Sequence, residues 1–260
     1  DIFADEYIEA EKRELAGIHR HGTFEETYCP PGRTPITCRW AYDIKRDGRD
    51  GKIKLFKARL VCHGFKQVQG IDFNKTFSST AQLRTFRFVV GIAVHKGIDL
   101  YQYGISNAFL NGKLEEELYM TFPPGYPSKN KDTVVRLLKG LYGLKQASRI
   151  WQKTLYESLA KVGLVPCKTE SGVLHIPGSK FLCLVVCWVD DLVILCEDPK
   201  MREMIEKQLI KDFLVKLLGQ LDTYVGIVLD KDAEGRTHLN QSGYNKNVVV
   251  KYPVNRKFHA

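Results

Sequence analysis

The chain has 260 residues, 44% of them apolar, which is enough to bury one large core or two modest ones. Its 39 Lys and Arg outnumber 30 acids and give a formal charge of +9, which suits a polyanionic partner without proving one. The seven cysteines form no CxxC pair, which argues against a zinc site and favours a reducing, intracellular compartment. No signal peptide opens the chain and no apolar run approaches the ~20 residues of a membrane helix, so we expect a soluble protein.

The first elements of the chain are a helix and two strands. Residues 1–20 predict an amphipathic helix that ends near Gly17. Apolar and polar residues alternate over 36–45, which predicts a half-buried strand, and a second strand is expected over 52–61. Two turn signals lie between these strands, Asp47-Gly48 and Asp50-Gly51.

The second of these strands has a basic face. Phe56, Ala58 and Leu60 share one side, so Lys57 and Arg59 share the other. The stretch 33–66 holds ten Lys and Arg but three Asp. Cations aligned on one face of a hairpin suit contact with phosphates. The alternative is a solvated polar face with no ligand.

The remaining pattern predicts one compact α+β unit without repeats or linkers. Residues 64–82 resemble a loop. Helices are predicted from Leu83 to a stop at Gly97, over Gln146–Val162 and after Pro199. Strands are predicted over 98–105 and 134–138, with a closing pair at Tyr224–Leu229 and near His238.

Two adjacent acids, Asp190 and Asp191, interrupt the apolar stretch FLCLVVCWVDDLVILC at 181–196. Short runs rich in Val, Leu and Ile around a turn-capable pair predict two buried strands joined by a tight hairpin. Neighbouring carboxylates at a strand tip repel each other and are costly to bury, and a hard divalent cation such as Mg²⁺ relieves both costs. The alternative is that the acids merely cap an exposed turn.

Five blocks of sequence together resemble a known family. They are KARLVCHGFKQVQGIDFNKTFS (57–78), NAFLNGKLEEELYM (107–120), RLLKGLYGLKQASRIW (136–151), WVDD (188–191) and LGQLDTYVGI (218–227). In this order and spacing they resemble the reverse transcriptase of copia-type retrotransposons, from about residue 4 to about residue 252. A lone VDD would be weak evidence, whereas the first and third blocks in one chain are highly specific.

The resemblance implies a right-hand polymerase of the α+β class, with an antiparallel palm sheet that carries helices on one face. Residues 1–96 would form an N-terminal helix and the fingers, and residues 97–240 the palm, with a segment at about 113–140 returning to the fingers. Residues 241–260 would begin a truncated thumb. Integrase and RNase H regions of a polyprotein are expected outside this chain. Its location would be intracellular, either cytoplasmic in a virus-like particle or nuclear.

The resemblance also implies a metal site. Polymerisation in this family uses two Mg²⁺ ions, or Mn²⁺, which activate the primer 3′ hydroxyl and stabilise phosphoryl transfer. The ligands resemble a triad of Asp190, Asp191 and an acid five residues before the aromatic residue of a D-x-x-x-A-F pattern. Here the aromatic residue is Phe109, and the acid position holds Gly104. We therefore expect a weakened metal site and an inactive or severely impaired enzyme. The alternative is that Gly104 is a bulge or close-approach glycine.

The resemblance implies further roles in substrate binding. Lys57 and Arg59 would contact the triphosphate, Phe109 would lie under the incoming sugar, Tyr142 and Gly143 would flank the nascent base pair, and Gln146 belongs to the same block. Phe109 could instead be a core aromatic, and the block 218–227 could be a primer grip or a core strand. The expected partners are an RNA or DNA template–primer and a dNTP. Two functions stay open, an RNA-directed DNA polymerase domain and a non-catalytic nucleic-acid-binding relic or co-opted retroelement fragment.

Overall fold

A computed structural model describes residues 3–46, 52–126, 128, 130 and 132–252 of the chain. These residues form five α-helices: α1 (Ala4–Arg20), α2 (Leu83–Lys96), α3 (Ala147–Ala160), α4 (Pro199–Asp212) and α5 (Ser242–Lys251). They form fourteen strands: β1 (Phe24–Tyr28), β2 (Cys38–Arg46), β3 (Ile53–Cys62), β4 (Leu100–Ile105), β5 (Lys113–Met120), β6 (Thr133–Lys139), β7 (Val165–Pro166), β8 (Val173–His175), β9 (Cys183–Trp188), β10 (Asp191–Cys196), β11 (Val215–Gln220), β12 (Thr223–Tyr224), β13 (Ile227–Lys231) and β14 (Thr237–Asn240). The predicted mixture of helices and strands is confirmed.

The centre of the fold is a six-stranded sheet in the order β11-β4-β10-β9-β8-β7, with antiparallel pairing throughout. Strands β9 and β10 are its hairpin, and they pair from Trp188 opposite Asp191 to Cys183 opposite Cys196. The predicted buried hairpin is therefore confirmed. Strand β4 lies beside β10, which brings Gly104 next to the acid-bearing turn.

Helices cover both faces of this sheet, so the expectation of helices on one face is wrong. Leu192 and Ile194 of β10 pack against Trp151 of α3, in a cluster that also includes α4. Val193 and Leu195 point the opposite way and pack in a cluster with α2. Successive side chains of a strand alternate between faces, and both sets are apolar here, so each face needs a covering layer.

Strands β2 and β3 form a separate two-stranded ribbon. Ala58 and Leu60 are buried, while Lys57 and Arg59 lie on the other side and are partly exposed, as the alternation predicted. The buried side packs in a cluster with the sheet β1-β6-β5, so the segment 113–140 returns to the ribbon. The turn signals Asp47-Gly48 and Asp50-Gly51 lie outside the described residues.

Helix α1 does not end near Gly17, as the sequence suggested, but continues to Arg20. Gly17 is buried inside the helix, and a Cβ there would lie 2.9 Å from the Asn107 side-chain nitrogen. The glycine is therefore a packing position that lets the helix approach the chain after β4, and it does not stop the helix. A left-handed residue follows later, at Gly22 with φ 58°.

The last strands also differ from expectation. Tyr224–Leu229 is not one strand, because Val225 and Gly226 have φ of 49° and 77° and reverse the chain between β12 and β13. The block 218–227 is likewise not one core strand: it contains the end of β11, all of β12 and this reversal, while its Tyr224 and Ile227 are buried in the core. A three-stranded sheet, β12-β13-β14, replaces the predicted pair, and α5 follows it. Among the described residues, no helix is both long and apolar enough to cross a membrane.

Gly143 lies at a close packing contact between the ribbon and the segment before α3. Its φ is 87°, and a Cβ on it would lie 2.1 Å from the Cys62 carbonyl oxygen of β3. The neighbouring backbone is fixed by a hydrogen bond of 2.8 Å from the Cys62 N–H to the Tyr142 carbonyl. Glycine is required here twice, for its backbone conformation and for the close approach of two backbones.

We predict that Gly143→Ala destabilises the protein more than Gly178→Ala. Gly178 is also left-handed, with φ 69°, but nothing lies within 4 Å of a Cβ placed on it. In both variants an alanine must adopt the left-handed backbone conformation, which costs about 1–2 kcal/mol. In Gly143→Ala alone, the clash of the new methyl group with the ribbon adds about 1–3 kcal/mol. Urea denaturation measures both. Equal losses of unfolding free energy would show that the ribbon shifts to accommodate the new methyl group at no cost.

Candidate active-site cleft

The turn between β9 and β10 carries the two acids and is held from two sides. Val189 has φ 54°, a conformation rare for a β-branched residue and typical of a turn that its surroundings enforce. The buried Trp151 indole donates to the Val189 carbonyl at 2.7 Å, and the Ile105 N–H donates to the Asp190 carbonyl at 2.8 Å. Helix α3 and the end of β4 therefore fix the position of the turn.

Gly104 lies directly opposite Asp191 in the β4–β10 ladder. A Cβ built on Gly104 would lie 3.9 Å from the Asp191 Oδ1, with Leu218 Cδ1 at 3.7 Å and Lys216 Cβ at 3.9 Å. These are ordinary contacts, and Gly104 itself pairs in register with Asp191 on one side and Lys216 on the other, the irregularity of this region lying in β11 between Leu217 and Gly219. The reading of Gly104 as a bulge or close-approach glycine is therefore wrong. A Cβ at position 104 would meet no clash and would lie beside the Asp191 carboxylate.

The two carboxylates lie next to each other at the tip of the hairpin, with Lys45 and Lys57 near enough to act on their charge. Asp190 is exposed and Asp191 half-buried. Burial raises the pKa of Asp191 above its ordinary value, the Asp190 charge raises it further, and Lys45 lowers it. Within the described ranges, no group of three or more His, Cys, Asp or Glu side chains is placed to hold a metal ion. Asp190 and Asp191 are thus two adjacent carboxylates of the kind that hard divalent cations use as ligands, and no described third group completes a triad with them.

A cavity of about 790 Å³ brings most of the predicted residues together. Its lining comes from α1, the ribbon, β4, the β9–β10 turn and β11, and includes Lys57, Arg59, Gly104, Tyr142, Asp190 and Asp191. Burial lowers the pKa of Lys57, and repulsion from Arg59 and Lys45 lowers it further. Concentrated cations in a partly desolvated cleft gain from an anionic ligand.

Aromatic rings form one end of this cleft. The Arg59 guanidinium lies 5.5 Å from the centre of the Tyr142 ring, within the range of a cation–π contact. The Phe109 ring meets the Tyr142 ring edge-on at 5.0 Å and 74°. Phe109 is half-buried and packs against two core clusters, so it supports Tyr142 from behind the cavity lining. Both interpretations of Phe109 stay open.

Gly143 and Gln146 do not line the cavity. Gly143 packs against β3, as described above. Gln146 is 1% exposed and is fully engaged, accepting from the Gln67 side chain at 2.9 Å and donating to the Asp72 carbonyl at 2.8 Å. The structure thus gives these two residues contacts within the protein that support the cleft wall.

The sequence did not single out Glu14 and Lys45, two of the charged residues that line the cleft. Glu14 is on α1, on the same side as the buried Ala10 and Gly17. The spacing of 10, 14 and 17 places all three on one helical face, a signal that could have located Glu14 inside. Lys45 lies in the ribbon, and its sequence context shows only that it belongs to a basic stretch.

Comparison with known proteins gives the family. A model of the reverse transcriptase (RNA-dependent DNA polymerase) family matches residues 21–258. The chain belongs to this family. Its relatives include the Pol polyproteins of two plant transposons, and these confirm the copia-type resemblance of the sequence blocks.

The Pol polyprotein from transposon RE2 of Arabidopsis thaliana is 34% identical over 223 residues, which cover 85% of this chain and 15% of that protein. The polyprotein from transposon TNT 1-94 of Nicotiana tabacum is 30% identical over 252 residues, which cover 95% of this chain and 19% of that protein. This reverse transcriptase domain therefore spans less than a fifth of the length of these relatives. A foamy viral protease–reverse transcriptase solved with double-stranded DNA aligns over 95% of this chain and 37% of its own, at 14% identity and a TM-score of 0.49, too weak a likeness to argue from.

We predict that Trp151→Phe loosens the acid-bearing turn. The change deletes the buried indole donor to the partly buried Val189 carbonyl, which costs about 1–3 kcal/mol in unfolding free energy. Trp40→Phe is the matched control, because it also removes one indole donor, to the Pro124 carbonyl at 2.9 Å, but at a partly exposed site. Urea denaturation should show a clearly larger loss of unfolding free energy for Trp151→Phe than for Trp40→Phe. Equal losses would contradict the claim that the Trp151 indole holds the turn.

Proposed function

We propose that this domain binds primer–template and nucleotide in the manner of its family but extends the primer poorly or not at all. The observation that carries the proposal is the row formed by β11, β4 and β10. Lys216, Gly104 and Asp191 stand side by side in it, so the strand next to the acid pair presents no carboxylate. A polymerase fold with an incomplete metal site retains its cleft and loses its chemistry.

Under this proposal, the described elements would divide into the fingers, palm and thumb of a right-hand polymerase. The fingers would comprise α1, the ribbon and the returning segment 113–140, and the palm the six-stranded sheet with α2, α3 and α4. Helix α5 would begin the thumb, next to the predicted boundary at Gln241. This assignment places the cavity between fingers and palm, where a nucleotide would meet the acid pair.

Within that cleft the basic and the acidic residues would bind different parts of the ligand. Lys57 and Arg59 would bind the triphosphate as a pair of cations, and Tyr142 would hold the Arg59 guanidinium in place. Asp190 and Asp191 would hold the divalent ion, Mg²⁺ or Mn²⁺, which when bound supplies positive charge to the reacting phosphate. Two carboxylates suit one weakly held ion and do not provide the bridging donor that a pair of ions needs.

The nucleic-acid partner would be an RNA or DNA template–primer. The net charge of +9 supports binding to a polyanion, and such binding weakens steeply as salt rises from about 50 to about 200 mM. Integrase and RNase H regions would belong to the longer polyprotein. The specific observation that favours a non-catalytic relic or co-opted fragment is Gly104, because the cleft beside it retains its cations and its ordered turn.

We predict that Gly104→Asp restores primer extension with Mg²⁺ or Mn²⁺. A Cβ at this position meets no clash, since its nearest neighbour is Leu218 Cδ1 at 3.7 Å, and it lies 3.9 Å from the Asp191 Oδ1. Each ~1.4 kcal/mol of regained transition-state stabilisation raises the rate tenfold, so a gain of at least about a hundredfold is expected. The measurement is gel-resolved extension of a labelled primer.

Gly104→Asn is the matched control, because it has the same shape without the charge and should stay as inactive as the natural chain. Adding Asp190→Asn to Gly104→Asp should abolish the gain. Efficient extension by the natural chain, with no gain from Gly104→Asp, would overturn the proposal that position 104 limits the chemistry.

A further inference from the structure

Glu14 places a carboxylate in the basic wall of the cleft. It lies on α1, whose Arg13 guanidinium is fixed to the Phe56 carbonyl of β3 at 3.0 Å. Glu14 lines the cavity together with Lys57 and Arg59. An acid between two cations assigned to a phosphate ligand has no place in the binding of that ligand, so its presence needs a separate explanation.

Two complementary atoms in this wall are buried and have no hydrogen-bond partner in the part of the chain that the structure describes. They are the Glu14 Oε1 and the Arg59 Nε. Buried polar atoms are almost always paired, and exceptions mark strain, a ligand site or an ordered water. An unpaired acceptor and an unpaired donor on adjacent elements of one cavity indicate a site built for a further polar group between them.

Charged groups surround Glu14 on several elements. The titratable groups that share its cavity are Arg13 on its own helix, Lys45, Lys54, Lys57 and Arg59 on the ribbon, Tyr142, Asp190 and Asp191 at the hairpin turn, and Lys216 on β11. Burial raises the pKa of Glu14, while the Leu60 backbone N–H, Lys57 and Arg59 lower it in part. The carboxylate is thus desolvated and depends on cations that a triphosphate would also use.

We propose that Glu14 is the resident anion of this cleft, a positioning residue that holds Lys57 and Arg59 ready and takes up a proton when a triphosphate binds them. The inference rests on the proposed nucleotide-binding function of the cleft. The triphosphate engages the two cations in place of Glu14 and adds negative charge beside it. Protonation of the carboxylate then removes the repulsion.

The direction of the pH dependence follows from linkage. A bound polyanion raises the pKa of Glu14 further above its value in the free protein, so binding takes up protons. Affinity therefore rises as pH falls from the bound-state pKa to the free-state pKa. Below both values Glu14 is neutral with or without ligand, and above both the repulsion is complete.

The test compares the natural chain with Glu14→Gln in binding dTTP, with EDTA present so that no bound metal contributes and the acid pair acts equally in both. Titration calorimetry from about pH 5.5 to about pH 8.5, in buffers of different ionisation enthalpy, reports affinity and proton uptake together. Glu14→Gln should bind roughly three- to tenfold more tightly at the highest pH, and the ratio should shrink toward one as pH falls. It should also take up fewer protons than the natural chain.

Glu9→Gln is the control on the same helix, because Glu9 is exposed and paired with Lys12 at 2.7 Å, and it should match the natural chain throughout. If Arg59→Ala loses dTTP binding while Glu14→Gln and the natural chain agree in affinity and proton uptake at every pH, the role of Glu14 is overturned and the proposed function stands. If the natural chain binds primer–template but no dTTP, the nucleotide cleft and the inference fall together.

Discussion

The pairing of β4 with β10 is the constraint on which the site depends. It sets position 104 opposite Asp191 and aims both at the same face of the sheet. The turn beyond it is fixed by the Trp151 indole and the Ile105 N–H, so the acids cannot move to find another partner without breaking buried hydrogen bonds. A single glycine in this row therefore leaves β4 without a carboxylate opposite Asp191, and the described residues complete no group of three metal-ligating side chains around the turn.

The cleft around that row has an electrostatic order of its own. Cations of the ribbon face the acid pair of the hairpin, and Glu14 of α1 stands among the cations. Burial raises the pKa of Asp191 and lowers that of Lys57, so each side of the cleft would be more easily ionised with a counter-charge between them. A nucleotide with a divalent ion has that distribution of charge, with its phosphates toward the cations and its metal toward the acids.

Local patterns predicted the parts of the fold that depend on neighbours in sequence. The hairpin at 183–196, the end of α2 at Gly97 and the basic face of β3 all follow from periodicity or turn chemistry. The helices on both faces had a signal too, because the run Leu192–Cys196 is apolar at every position and not at alternate ones. The resemblance to the family outweighed that signal and gave the wrong expectation.

Long-range packing decided what the sequence did not reveal. Gln146 is buried because Gln67, 79 residues away, supplies its partner, and no local pattern encodes that contact. Strands β7 and β8 have only two and three residues, too few to show a period. Glu14 enters the cleft only because Gly17 lets α1 approach Asn107. The site was thus predictable where a motif spaced its residues, and hidden where a distant element completed it.

The central claim is that the hairpin acids bind metal weakly because the third carboxylate is missing. Direct titration with Mn²⁺, followed by the paramagnetic resonance signal of the free ion, tests it without reference to activity. We expect the natural chain to bind at least about tenfold more weakly than Gly104→Asp, with Asp191→Asn abolishing binding in both. Equal Mn²⁺ affinity in the natural chain and Gly104→Asp would contradict the account, because it would show that the site lacks nothing at position 104.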